Sequence, residues 1–462
     1  MVKNSTYTFL ANLVSILISL ITTLIFPRYF GVEEFGYWQL YVFYTSYTVF
    51  SDLGVCCGIL LKYAGKQEKE LDKKVIASQF WTLNIYITTL FFFLGSACLL
   101  LGIGADNKFI VITICIYGIL IIPRFFVIYL FQATYQINKY VIITILDRSI
   151  FIVFAFLGMI IGDKRYEVLI FADLTAKLAT LILGLLFSRD MLFHRLNFDY
   201  QCRSELYDNI KSGSKLLLAS ITGQLVLGII RFSIQDIWDI STFGKVSLTL
   251  SISNLLITFI GGISEVLFPI LRRVSKNKLA GYYKHMRVLI LTPTFGLLLF
   301  YVPIKEILNA WLPQYSDGLK YMALLFPICI FAVKNDILVA IYQKVLRQEK
   351  TMLLVNCITV VLSGLSTSVF AYLLKNLTIT IISIVGIFAF RAFLSETLLL
   401  KSFGIRLKAE PIIELLIVFI FIYLNWFNYG MISMLGYFIV YVLYLFYKSR
   451  EIKFSFAILK SK

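Results

Sequence analysis

The sequence predicts an all-α, polytopic transmembrane fold of about 14 helices, set as two pseudo-symmetric six-helix lobes followed by a C-terminal helix pair. Three observations carry this expectation: recurrent long apolar runs, an alternation of basic loops, and a faint internal repeat. Of 462 residues, 59% are hydrophobic and 15% charged, whereas an ordinary soluble domain is roughly 25% charged. Crossing the hydrocarbon core takes about 20 residues of helix, and runs of that length recur from one end of the chain to the other. They are continuous and rich in Ile, Leu and Phe, unlike the roughly ten-residue alternating strands of an outer-membrane barrel. A soluble globular enzyme is excluded.

In order, the first run, 6–29, is too long for a signal-peptide core and has no small-residue cleavage site after it, so it reads as a membrane helix. Runs at 38–61, 76–101, 109–132, 141–161 and 168–187 complete an N-terminal lobe, 1–187. The segment 188–214 is the longest connection and of mixed charge, and it reads as a cytoplasmic inter-lobe linker. Runs at 215–234, 243–271, 286–304, 319–343, 351–373 and 377–399 make a second lobe, 215–400. Those at 411–427 and 430–447, with a basic cytoplasmic tail, occupy 401–462.

The loops test the count. Numbered from a cytoplasmic start, the helices put 29 of the 43 Lys and Arg residues on the inward side, 7 on the outward side and 7 inside spans, the bias that cytoplasmic loops carry. One missed helix would reverse the alternation downstream, and no reversal occurs. Both termini are therefore expected in the cytoplasm. The net charge of +17 follows from this orientation and from attraction to the anionic inner leaflet, so membrane lipids and no nucleic acid are the expected partners. Six of the seven cysteines lie in apolar runs, which implies no disulfide framework. His194 and His285 stand alone in basic loops, so no metal site and no cofactor is expected.

The repeat is read from two matches. Glu34-Phe35-Gly36-Tyr37 resembles Thr242-Phe243-Gly244-Lys245 at an offset of 208, and Gln132–Lys139 resembles Gln343–Lys350 at an offset of 211. Duplicated units of this kind build two lobes around a central site in many transporters.

Polar side chains within the bilayer are costly unless they face protein or a water-filled cavity. Asn12, Ser15, Ser19 and Thr22 share one helical face, as do Tyr41, Thr45, Thr48 and Asp52. In the second half, Ser220, Gln224 and Arg231 form a stripe, as do Ser247, Ser251, Asn254, Thr258 and Glu265. Such stripes line a cavity or glue tightly packed helices together, and the full charges on Asp52 and Arg231 favour a cavity. Asp173 with Lys177, and Arg124 with Asp147, can neutralise each other. Lys334 and Asp336 point in nearly opposite directions on their helix and need other partners or a ligand. Arg28, Arg231 and Lys245 sit toward the outer ends of their spans, where an anionic group is the natural counterpart. No Walker-type GxxxxGK[ST], HExxH or GxSxG sequence is present, and the longest expected outward loop, 305–318, is short. The expectation is a protein that is not an enzyme.

The turn Pro27-Arg28-Tyr29-Phe30-Gly31-Val32-Glu33-Glu34-Phe35-Gly36-Tyr37, the Ser51-Asp52-Leu53-Gly54 segment, and Gln132-Ala133 followed by Asn138-Lys139 resemble patterns of the polysaccharide transporter family. These are bacterial flippases of lipid-linked oligosaccharides such as O-antigen units, within the multidrug, oligosaccharidyl-lipid and polysaccharide exporter superfamily. Val32 stands where Pro is frequent in the family, and Cys56-Cys57 where small or polar residues are usual. The resemblance implies alternating access by two six-helix lobes around a cationic cavity in the bacterial cytoplasmic (inner) membrane. It implies that Arg28, Arg231 and Lys245, with Arg124 and Lys334 deeper in, attract the pyrophosphate and any acidic sugars of an undecaprenyl-linked oligosaccharide. Asp52 would hold a cavity Arg or carry a coupling proton, with Gln224, Asn254, Glu265 and Asp336 as further cavity or coupling residues. A proton or other cation would drive the cycle, and a polysaccharide polymerase with its chain-length machinery would be a partner. The alternative is a cation-coupled multidrug exporter of the same superfamily.

Overall fold

In lipid the backbone must satisfy its own hydrogen bonds, and continuous apolar sequence meets that demand as helix. The computed structural model describes residues 15–100, 102, 104–194, 199–272, 274–405, 410–427 and 430–460, with the side chains of 259–270 among those outside the description. Asn12 and the side chain of Glu265 therefore lie outside it. Twelve described helices are long and apolar enough to cross a membrane, and two more, Val32–Asp52 and Val55–Tyr63, pass the same test only together, bent by 59°. With the shorter apolar helix Ser15–Phe30, every expected run has a helical counterpart. The chain is a multi-pass membrane protein.

The chain divides into two compact units, Met1–Ile221 and Thr222–Lys462. The first contains α1 (Ser15–Phe30), α2 (Val32–Thr48), α3 (Val55–Tyr63), α4 (Lys73–Leu100), α5 (Ala105–Ala133), α6 (Ile137–Ile161) and α7 (Glu167–Phe187). Helix α8 (Tyr200–Ile237) begins in the first unit and ends in the second. The second unit continues with α9 (Ile240–Arg272), α10 (Lys276–Leu297), α11 (Tyr301–Trp311), α12 (Met322–Val345), α13 (Glu349–Leu373), α14 (Leu377–Phe403), α15 (Glu410–Phe427) and α16 (Met431–Lys460).

Two expected connections are helical instead. Of the linker 188–214, residues 200–214 are the first half of α8, fastened to the first unit by polar contacts. Tyr63 donates its hydroxyl to Glu205 (3.0 Å), Lys62 pairs with the same carboxylate (3.2 Å), and Asn209 donates to Gln79 (2.9 Å). The mixed charge that suggested a loop supplies these contacts. Likewise the expected outward loop 305–318 overlaps α11, whose buried Tyr301, Val302, Lys305 and Leu308 hold it against the unit.

The break between α2 and α3 has a local cause. After the 3₁₀ turn Val49–Asp52, Leu53 and Gly54 both take left-handed backbone, with φ of 56° and 87°. Helix α8 crosses close to this point. A Cβ on Gly58 would lie 2.2 Å from the carbonyl oxygen of Asn209, and one on Gly213 would lie 1.9 Å from that of Gly54. Only glycines permit so close an approach of two backbones. The turn motif near the N-terminus has a structural role too: the Glu34 carboxylate accepts the Tyr166 backbone N–H (2.7 Å) just before α7, and Tyr37 stacks on the Tyr166 ring.

Candidate functional site

In the first unit, Arg124 on α5, Asp147 on α6, and Asp173 and Lys177 on α7 form a cluster of two positive and two negative groups. Lys177 Nζ lies 2.9 Å from Asp147 Oδ1 and 3.0 Å from Asp173 Oδ1. Arg124 Nη2 lies 3.4 Å from Asp147, Arg124 Nε donates to Thr180 (3.0 Å), and the Tyr41 hydroxyl donates to Asp173 (3.0 Å). Both pairings expected from sequence form, and they merge into one neutral network. An unpaired charge in this setting would cost several kcal/mol.

Asp52 is buried at the α2–α3 break. Its carboxylate accepts the backbone N–H groups of Gly54 (2.8 Å) and Cys56 (3.0 Å), which is how a capping residue satisfies the open amides at a helix start. It also lines a cavity of about 130 Å³ with Cys56, Cys57, Tyr129 and Ser220. Among the described residues, the partners of the Asp52 carboxylate are backbone amides of its own helix start. The hydroxyls of the polar stripes mostly turn back onto their own helices: Thr45 donates to Tyr41 O, Thr48 to Thr45 O, Ser251 to Ser247 O and Thr258 to Asn254 O.

The second unit holds a closed ring of alternating charge. Arg287 Nε on α10 lies 2.7 Å from Glu396 Oε1 on α14, and Glu396 Oε2 lies 2.5 Å from Lys334 Nζ on α12. Lys334 Nζ lies 2.7 Å from Glu414 Oε2 on α15, and Glu414 closes the ring by accepting from Arg287 Nη2. Glu410 adds a contact to Arg287 (3.5 Å), and Lys448 on α16 pairs with Glu410 (2.7 Å) and Glu451 (2.8 Å). Lys334 is fully buried. Arg287 and Lys448 are among the 29 cations that the sequence assigns to the inward side, and Glu410 and Glu414 carry no expectation there. The i, i+4 spacing of those two acids at the start of an otherwise apolar run was the available signal.

Lys334 and Asp336 do point apart, as their spacing predicts. Both belong to a π-helical turn, Val333–Val339, within α12, a distortion frequent at functional positions. Lys334 enters the ring, whereas Asp336 stays 48% exposed at the side chain with its Oδ1 3.7 Å from Arg391 Nη2 on α14. Arg391 Nε donates to Asn356 Oδ1 on α13 (3.1 Å). Nearer the start of α9, Arg231 Nη2 donates to Ser247 (3.0 Å) and its guanidinium lies 5.3 Å from the Phe243 ring centre. Lys245 Nζ is 3.7 Å from Asp317, whose side chain is 88% exposed. Arg28, Gln224 and Asn254 are exposed. The expected cations therefore fall into two groups: Arg124 and Lys334 are locked in neutral networks, whereas Arg28, Arg231 and Lys245 lie at accessible or half-accessible positions.

Residues 1–275 match the family model described as polysaccharide biosynthesis protein. No curated protein matches the chain. Among solved structures, it is similar to lipid II flippase MurJ in an inward closed conformation, with a TM-score of 0.68 and 13% identity over 98% of this chain and 100% of that one. It is also similar to an inward-facing multidrug resistance MATE family transporter of the MOP superfamily, with a TM-score of 0.65 and 13% identity over 84% and 93% of the two chains. A MOP superfamily transporter from Pyrococcus furiosus, described by the reverse polarity of its binding pocket, gives a TM-score of 0.53 and 14% identity over 87% and 95%. At these identities the likeness is one of fold.

Proposed function

The chain belongs to the polysaccharide biosynthesis protein family, and on that premise we propose that it is a flippase for undecaprenyl-pyrophosphate-linked oligosaccharide units. The cargo is of the O-antigen or capsule kind and moves by alternating access from the inner to the outer leaflet of the bacterial cytoplasmic membrane. Both chain termini lie in the cytoplasm, a proton or other cation drives the cycle, and the protein catalyses no covalent step. A polysaccharide polymerase and its chain-length machinery take over the delivered unit.

One observation carries the choice of an anionic cargo. Within the second unit, Lys245 and Arg391 are countered at 3.7 Å by the carboxylates of Asp317 and Asp336, whose side chains are 88% and 48% exposed, whereas Arg287 and Lys334 are closed in by buried acids. Loosely countered cations suit a phosphate-bearing ligand. A cationic drug needs accessible acids that no protein cation already claims; among the described residues, Asp147, Asp173, Glu396 and Glu414 are each held by Lys or Arg, and the exposed Asp317 and Asp336 each stand beside a cation. This weighs against the multidrug reading.

The test is surface display of the glycan in a flippase-null strain that carries the glycan-synthesis genes neighbouring this one. Wild-type chain restores display. Arg231→Ala and Lys245→Ala, at matched membrane levels, are expected to reduce it at least about tenfold, the loss for one charge-assisted contact of roughly 1.4 kcal/mol or more. Full display by both variants overturns the site.

A further inference from the structure

We infer that Arg391 is an anion-binding residue of the second unit and that Asp336 is its displaceable counter-ion. The inference rests on the anionic-cargo reading above and adds a residue to it. It starts from a comparison of two arginines in the same unit. Each of the three nitrogens of Arg287 has a carboxylate: Glu396 at Nε, Glu410 at Nη1 and Glu414 at Nη2. Arg391 is also mostly buried, at 11% side-chain exposure, yet among the described residues it meets a single carboxylate, at 3.7 Å. Its Nε is fixed by Asn356, which orients the guanidinium plane without neutralising it.

Asp336 is a weak partner for geometric reasons. Its Oδ1 already accepts Asn335 Nδ2 at 2.6 Å, and the contact to Arg391 falls on that same oxygen. The side chain is half exposed, and because a carboxylate within a span faces a water-filled cavity in place of lipid, water competes for it and the ion pair contributes little. Asp336 also sits on the π turn, where the backbone carries an extra residue and its register differs from the flanking helix. On α8, Gly223 lies against this arginine: a Cβ there would stand 3.5 Å from Arg391 Nη2 and 3.7 Å from Asn356 Nδ2. An oxyanion with two oxygens in the plane of the guanidinium engages it in a fork that a single offset carboxylate oxygen does not. The ligand is therefore a planar or tetrahedral oxyanion, and both a pyrophosphate and a sugar carboxylate supply that chemistry.

The experiment uses full-length protein in detergent at low ionic strength, with thermal unfolding followed as inorganic pyrophosphate or, in a second arm, sodium glucuronate is added. Pyrophosphate is expected to raise the melting temperature of the wild type. Asp336→Asn removes the competitor and should lower the half-maximal concentration about two- to fivefold, the factor an exposed ion pair is worth. Arg391→Gln should weaken the response at least about tenfold, as loss of a charge-assisted fork requires. Arg391→Lys keeps the charge without the fork and should fall between them. A response to glucuronate alone keeps the site and assigns the oxyanion to the sugar. Equal responses from wild type and Arg391→Gln, no response to either anion, or weaker binding by Asp336→Asn each overturn the inference. Because no transport is measured, failure here is separate from failure of glycan display.

Discussion

At the scale of single residues, the Arg287–Glu396–Lys334–Glu414 ring obeys one rule: what matters is the balance of the whole, not any one bond. Burying a charge is expensive, and mutual attraction in a low dielectric offsets the cost only while every member has its partner. Glu414→Gln would leave Arg287 and Lys334 facing fewer acids than before. It is expected to lower unfolding free energy by about 3–5 kcal/mol, the usual penalty for removing one side of a buried pair. Adding Lys334→Met should recover most of that loss, because Arg287 and Glu396 then remain as a matched pair at 2.7 Å. Denaturant titrations in mixed micelles measure both, and simple additivity of the two losses would sink the account. The ring was only partly legible in the sequence. Lys334 and Glu396 stand out as charges inside apolar runs, but Arg287, Glu410 and Lys448 fall near run ends, where solvated loop positions are the default reading.

At the scale of elements, the α2–α3 break shows why a motif can be visible while its role is not. Ser51-Asp52-Leu53-Gly54 reads from sequence as an acid in a span, yet its carboxylate caps the second half of a broken helix. The backbone N–H groups that hold it become known only once the chain turns left-handed at Leu53 and Gly54. Asp52→Ala should therefore destabilise the first unit by about 0.5–2 kcal/mol, a capping loss, whereas Asp52→Asn keeps an acceptor oxygen and should lose less. Gly58→Val is a sharper test of the same junction. Its Cβ would meet the Asn209 carbonyl at 2.2 Å, and because backbone cannot rotate aside as a side chain does, the penalty should exceed the roughly 1–3 kcal/mol of ordinary overpacking. Folded yield after size-exclusion chromatography reads all three variants. Normal yield from Gly58→Val would remove the close crossing of α8.

At the scale of the whole chain, the helix count was legible because hydrophobicity and loop charge are properties of long windows, and each expected run has a helix among its described residues. The two halves also share a charge logic that the motif matches only hinted at. Arg124 and Lys334 are 210 residues apart, within the 208–211 offset of the repeat, and each is one of two helix-borne cations in a buried network of its own unit. The networks differ in where their acids come from. The first unit draws Asp147 and Asp173 from α6 and α7, inside its own repeat, while the second draws Glu410 and Glu414 from α15, beyond the repeat. This gives the last two helices a role that hydropathy does not reveal. In water, their removal would be felt mainly as exposed apolar surface. In a bilayer, lipid tails replace that surface at little cost, so electrostatics decides. A chain ending at Ile405 loses Glu410, Glu414 and Lys448, and it leaves Arg287 and Lys334 sharing Glu396 alone. One excess buried cation at about 3–5 kcal/mol is a large part of a total stability of roughly 5–15 kcal/mol. The truncated chain should accumulate poorly and elute as aggregate, and Lys334→Met within it should restore a monodisperse peak. If the unsubstituted truncation accumulates like the full chain, the helix pair is not held for its charge.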